Sequence, residues 1–237
     1  EARVIDLGRR DGRMLRIGHR GAAALAAENT VESLQLAVEL GCDLVEFDVH
    51  ELDGTLVVVH DRPVPGTTGL LTLDETLDFF AGTDAGVHLD LKTRGAANTV
   101  ADALRRHGLV ERTLVSSFRF DTLQELGAVE RGVRLGLTYP GDPTGLAHRP
   151  WARPLVRASL AGLKATLPRR LPHLLSRAGA SAAVLNLGVV SEEALRRCHA
   201  LGLPVLVWTI DDPAWLPRLE AMGADGVITN DPRIFRG

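Results

Sequence analysis

Two short segments of this 237-residue chain carry more charge than their apolar context would lead one to expect. In Val45-Glu46-Phe47-Asp48-Val49 and in His88-Leu89-Asp90-Leu91-Lys92, polar and apolar residues alternate. Residues two apart share a face of a β-strand. The apolar set therefore faces one way, while Glu46, Asp48, His88, Asp90 and Lys92 face the other, toward the inside of a barrel. Carboxylates gathered there repel one another, and buried charge is expensive unless it is paired or bound to an ion. A divalent cation relieves the repulsion. The candidate ligands Glu46, Asp48 and Asp90 are all oxygen donors, so Mg²⁺ or Ca²⁺ suits them better than zinc. The alternative is an internal ion-pair network of the same three carboxylates with Lys92 and no metal. Two histidines add proton-transfer capacity near neutral pH. They are His19, in Gly18-His19-Arg20-Gly21, and His60, in Val58-Val59-His60-Asp61. Arg20 offers a planar fork to a phosphate. A cation, an arginine, a lysine and two histidines are the equipment for cleaving a phosphodiester, although a lone histidine at a rim would pass for a surface or packing residue.

These groups need a scaffold that brings distant segments together. Short apolar runs alternate with stretches of helical period along the chain. The runs at Leu15–Gly18, Asp43–Val49, Gly86–Leu91, Arg112–Ser116, Val133–Thr138, Ala182–Leu187, Pro204–Trp208 and Asp225–Thr229 read as strands. Helices are expected at Thr30–Leu40, Leu73–Ala81, Ala96–His107, Phe120–Val129, Trp151–Thr166, Leu171–Ala178, Ser191–Leu201 and Pro213–Met222. Strand–helix alternation means parallel pairing with crossover helices, and eight such units point to a (β/α)8 barrel of the α/β class. An extra apolar segment, Leu56–Val59, fits a hairpin at the barrel mouth turned by Asp53-Gly54. Barrel enzymes keep their chemistry at the C-terminal ends of the strands, where His19 and His60 fall.

The bulk numbers narrow the class. A length of 237 residues fits one barrel domain spanning 1–237, and 45% hydrophobic with 24% charged residues is ordinary for a globular chain. A formal net charge of -3 argues against nucleic acid as a partner. The two cysteines, Cys42 and Cys198, form no CxxC pair and read as small core residues. No run approaches a membrane span, so stable membrane insertion is not expected. No signal-peptide pattern is visible, and a cytoplasmic location is the default expectation. The chain starts at Glu1 rather than Met, however, so a removed leader stays open. Nothing in these patterns speaks to oligomeric state.

His19-Arg20-Gly21, Glu28-Asn29-Thr30, Glu46-Phe47-Asp48-Val49, Asp53-Gly54, His60-Asp61, Leu91-Lys92 and Trp208-Thr209 resemble, in this order, the motifs of the glycerophosphodiester phosphodiesterase family. So does the ending Gly223-Ala224-Asp225-Gly226-Val227-Ile228-Thr229-Asn230-Asp231-Pro232. Each motif alone is weak, but their order from about Leu15 to Pro232 is specific. The resemblance implies a TIM barrel that hydrolyses glycerophosphodiesters to an alcohol and sn-glycerol 3-phosphate with a divalent metal. It implies His19 and His60 as the acid–base pair, and Glu46, Asp48 and, third, Asp90 as metal ligands. Arg20, Lys92 and Asn29 would hold the phosphate, and Trp208 with Phe118 of Ser116-Ser117-Phe118 would wall the alcohol side. A core aromatic closing the barrel is the other reading of Trp208. Three departures stand out: Ala27 replaces the usual proline, the segment from Asp48 to Asp53 is one residue short and lacks the customary threonine, and Asp90 replaces the usual glutamate. A lysophospholipase D-like activity and a non-catalytic barrel that only binds phosphodiesters are the rival functions.

Overall fold

The alternating runs resolve into strands whose outward side chains meet helices and whose inward ones meet each other. The computed structural model describes residues 5–141 and 153–236. Its strands are β1 (Leu15–Gly18), β2 (Leu44–Leu52), β3 (Thr55–Val58), β4 (Gly86–Leu91), β5 (Thr113–Ser117), β6 (Arg134–Tyr139), β7 (Ala182–Asn186), β8 (Val205–Trp208) and β9 (Gly226–Thr229). All but β3 run parallel, in the order β1-β2-β4-β5-β6-β7-β8-β9, and β9 pairs back onto β1 to close the barrel. β3 folds back antiparallel on β2, with Leu52 opposite Thr55 across the two-residue turn Asp53-Gly54. Both turn residues have positive φ, 49° and 82°, as this tight hairpin connection requires. Around the barrel lie α1 (Val31–Glu39), α2 (Leu73–Ala81), α3 (Ala97–Arg106), α4 (Phe120–Val129), α5 (Arg153–Ala178), α6 (Glu192–His199) and α7 (Leu216–Met222). The fold is a (β/α)8 barrel with a hairpin after its second strand.

Two apolar layers hold it. Between barrel and helices, Val45, Phe47, Val49, Val87, Leu89 and Leu91 pack against Leu34, Leu77, Phe80 and Leu104. The Phe47 and Phe80 rings stack at 5.8 Å. Inside the barrel, Leu7, Leu15, Ile17, Leu44, Leu114, Val184, Leu206 and Ile228 form a second cluster. Each such side chain contributes roughly 1.5–3 kcal/mol when withdrawn from water. Continuing along β2 and β4 toward their C-terminal ends, the inward positions change character to Glu46, Asp48, His88 and Asp90, all buried. Cys42 and Cys198 are buried and unpaired, and burial pushes each thiol up to about 12.

One expectation is corrected. The sequence pattern predicts two helices between β6 and β7, but 153–178 is a single 26-residue helix with Pro168 and Pro172 inside it. A proline in a helix interior costs about 3 kcal/mol because it loses an amide hydrogen bond and crowds the preceding turn. Here Leu167, Leu171 and Leu175 are fully buried on one side, and their packing keeps both halves on the barrel. The first two residues of the expected helix, 151–152, lie outside the described residues. Among the described residues no helix is long and apolar enough to cross a membrane.

Candidate active site

The site begins where β1 ends and the chain turns through His19, Arg20 and Gly21. Gly21 has φ +84°, and a Cβ there would lie 2.4 Å from Ser33 Oγ, so glycine alone lets the turn seat on α1. Arg20 is also left-handed, at φ +51°, a conformation that costs a residue of its kind about 1–3 kcal/mol. Its surroundings hold it there. The Arg20 amide donates to Glu46 Oε2 at 2.8 Å. Its carbonyl accepts from Ser33 Oγ at 2.8 Å and from the Asn29 amide at 3.1 Å. Asn29, left-handed as well at φ +59°, brackets Asp48. Its Nδ2 donates to Asp48 Oδ2 and its Oδ1 accepts from the Asp48 amide, each at 3.2 Å. Thr30 then caps α1, accepting from the Ser33 amide.

The three carboxylates meet. Glu46 and Asp48 come from β2 and Asp90 from β4, where Asp48 and Asp90 are register partners. One oxygen of each lies within 4.8 Å of the others, and two oxygens on opposite sides of one Ca²⁺ sit up to about 5 Å apart. Lys92 Nζ stands 2.9 Å from Asp48 Oδ1 and also contacts Asp90 Oδ2. Arg20 Nε approaches Asp48 Oδ2 to 3.2 Å without hydrogen-bonding alignment, while its Nη1 donates to Glu28 Oε2 at 2.8 Å. Lys92 and Arg20 thus serve Asp48 and Asp90. Among the described residues, the ion-pair partner of Glu46 is His19, whose Nε2 is 4.0 Å away.

The electrostatics follow from this shortage. Burial, then Asp48 and Asp90, push the Glu46 carboxyl well above the usual range. Asp48 is equally buried, but Lys92, Arg20 and the two histidines hold it well below. Lys92 would be lowered by burial, yet Asp90, Asp48 and Glu46 raise it. Three acids face two cations, an excess that shows in the raised Glu46 carboxyl. The residues fit a hard divalent ion: buried, all oxygen, with charge to spare. This acidic triad could coordinate such an ion.

Both histidines are anchored through Nδ1. His19 Nδ1 lies 2.7 Å from Asn230 Oδ1. Asn230 Nδ2 donates to Asp211 Oδ2 at 2.8 Å, and the Asn230 amide donates to Asp211 Oδ1 at 2.9 Å. The Asn230 amide orientation is therefore fixed, and its Oδ1 must accept from His19. His60 Nδ1 lies 2.9 Å from Asp61 Oδ1. Burial is the first cause that lowers each ring below the ordinary histidine value.

Of the ten residues singled out by sequence, the carboxylates, Lys92, Arg20, Asn29 and His19 form one contact network, and His60 faces its charge field. Trp208 is half-buried against the inner apolar cluster, with its indole N–H on the Val184 carbonyl at 3.2 Å. The Phe118 ring lies under the Arg119 guanidinium at 4.9 Å. Neither contact involves the carboxylates. Sequence reasoning missed Asp211 and the part played by Asn230. The Thr229-Asn230-Asp231-Pro232 motif offered a signal, but Asp211 lacked any.

Two models of the "Glycerophosphoryl diester phosphodiesterase family" match the chain, one over residues 19–91 and the other over 204–233. A glycerophosphodiester phosphodiesterase of Caldanaerobacter subterraneus subsp. tengcongensis is 25% identical, covering 91% of this chain and 93% of that protein. Among solved structures, a glycerophosphodiester phosphodiesterase from Parabacteroides distasonis superposes with a TM-score of 0.75 at 23% identity, covering 96% of both chains. An Oleispira antarctica phosphodiesterase, solved in complex with the product sn-glycerol-3-phosphate, gives 0.71 at 23% identity over 94% of this chain and 96% of that one. At these identities the two structures are evidence of fold.

Proposed function

From its homology to the glycerophosphoryl diester phosphodiesterase family, we propose that the chain hydrolyses glycerophosphodiesters to an alcohol and sn-glycerol 3-phosphate, using a divalent cation. The observation that carries this reading is the buried Glu46–Asp48–Asp90 triad, with one carboxylate in excess of its cations, beside His19 at the barrel mouth. The product named for the Oleispira structure supports the choice of substrate.

Glu46, Asp48 and Asp90 would hold Mg²⁺ or Ca²⁺, which when bound supplies charge stabilisation to the phosphoryl oxygens. Arg20 and Lys92 neutralise charge on the same oxygens, and preorganised donors of this kind are usually the largest catalytic term. Asn29 keeps Asp48 in place by its paired hydrogen bonds. His19 commits its Nδ1–H to Asn230 and so presents an unprotonated Nε2, the form that accepts a proton from the nucleophile. His60, its Nδ1–H held by Asp61, would act from its imidazolium form, giving the Nε2 proton to the departing alkoxide as the P–O bond to the alcohol breaks. The nucleophile is water, or the adjacent glycerol hydroxyl through a cyclic phosphate that water then opens. Trp208 and Phe118 would border the alcohol.

Turnover of glycerophosphocholine is measured after exhaustive chelation and again after Mg²⁺ or Ca²⁺ is restored. Activity should vanish and return, with sn-glycerol 3-phosphate as product. Full turnover by the metal-free chain would remove the cation from the mechanism. Cleavage of lysophosphatidylcholine alone would favour the lysophospholipase D-like reading, and binding without turnover would favour the non-catalytic one.

A further inference from the structure

We propose that Ser116, oriented by His88 and assisted by Thr138, is the positioning residue that presents Asp90 to the cation, an inference that rests on the cation site of the preceding reading. Ser116 Oγ lies 2.7 Å from Asp90 Oδ1 and 2.9 Å from His88 Nε2. Thr138 Oγ1 reaches the same Asp90 oxygen at 3.3 Å. A carboxylate only accepts, so the single hydroxyl proton of Ser116 points at Asp90. Ser116 can then only accept from His88, which places the imidazole proton on Nε2. Among the described residues, buried His88 Nδ1 has no hydrogen-bond partner. The assignment leaves a lone pair there rather than an orphaned N–H, the less common and more costly defect. Every hydrogen bond in the relay thus has a fixed direction, from His88 to Ser116 and from Ser116 to Asp90.

The fold makes room for it. Ser116 is the register partner of Asp90 on one side and of Gly136 on the other. A Cβ at Gly136 would come within 3.0 Å of Val184 Cγ2 and 3.3 Å of Ser116 Cβ, crowding the relay from its far side. His88, Ser116 and Thr138 are all buried. With two hydroxyls on Oδ1, Asp90 is turned so that Oδ2 meets Lys92 Nζ, the same ammonium that contacts Asp48 Oδ1. Hydroxyl donors orient the carboxylate without neutralising it, which a further lysine or arginine would do. Aspartate is short, and which of its oxygens faces the ion decides whether it reaches.

Titration calorimetry of Mg²⁺ and Ca²⁺ into metal-free wild type, Ser116→Ala and Thr138→Val, beside urea unfolding of the same metal-free proteins, tests this. Ser116→Ala should weaken cation binding about 10–100-fold, the range typical of losing a partner behind a metal ligand. Thr138→Val should weaken it in the same direction by less. A purely structural relay would lower stability and leave the Kd unchanged, and that result overturns the inference while the cation site stands. A wild type that binds neither ion overturns both. If Ser116→Ala does not fold, Thr138→Val decides by the same criterion: a weaker Kd supports the inference and an unchanged one overturns it.

Discussion

At His19 only Nε2 remains for a proton, because Nδ1 is already engaged by Asn230, and the proposed mechanism uses that one atom. His19→Ala should lower kcat by about 10²–10⁴-fold, the usual weight of general acid–base catalysis, with KM changed only a few-fold. Steady-state kinetics on glycerophosphocholine check this, and a mutant that keeps most of the wild-type kcat would refute the role. At this scale the alternation of Glu46 and Asp48, and of His88, Asp90 and Lys92, was legible, since a period of two is written directly in the residues. The left-handed backbone at Arg20 was not. Arginine carries no local preference for that region, and the conformation is imposed by Glu46 and Ser33 from elsewhere in the chain. Nor was the link from Ser116 to Asp90, which depends on the register of two strands 26 residues apart.

Among elements, β1 with the residues just before it is joined to the entry of β2 at Asp43. It accepts from Arg13 at 2.7 and 2.9 Å, from Arg10 at 2.8 Å and from the Arg16 amide at 2.8 Å. Burial alone would raise its carboxyl, but Arg13, the Arg16 amide and Arg10 hold it below the usual carboxylate value. The unfolded chain therefore binds this proton more tightly than the folded one. The contribution is fully present above the unfolded value near 4 and is lost as pH falls through the folded value. Asp43→Asn should cost about 1.5–3 kcal/mol at pH 7, as expected for hydrogen bonds to a charged group, and should flatten this part of the acid limb. Urea unfolding at pH 7 and pH 3 reads both, and an unaltered midpoint at pH 7 would count against the anchor. The helix pattern was legible except at α5. Pro168 and Pro172 read as an interruption there, because the burial of Leu167, Leu171 and Leu175 that overrides them is a tertiary fact.

For the molecule as a whole, the path from His60 to α2 is short and Val64 on it is exposed, so under the proposed reading it offers few groups to a departing alcohol. Values of kcat/KM for glycerophosphocholine, glycerophosphoethanolamine and glycerophosphoglycerol should then lie within about 100-fold of one another, the range that apolar pocket differences allow. A preference of four orders of magnitude would require a dedicated polar pocket. The barrel closes by pairing β1 with β9, and the hydrogen bond from His19 to Asn230 spans 211 positions of sequence across that seam. Chains emerge from the ribosome N-terminal end first, so His19 is made 211 positions before the residue that orients its imidazole. Contacts of such separation are also the slow ones in folding. The aim of one side chain is thereby tied to closure of the barrel: until β9 pairs with β1, His19 lacks the Asn230 oxygen that fixes its ring.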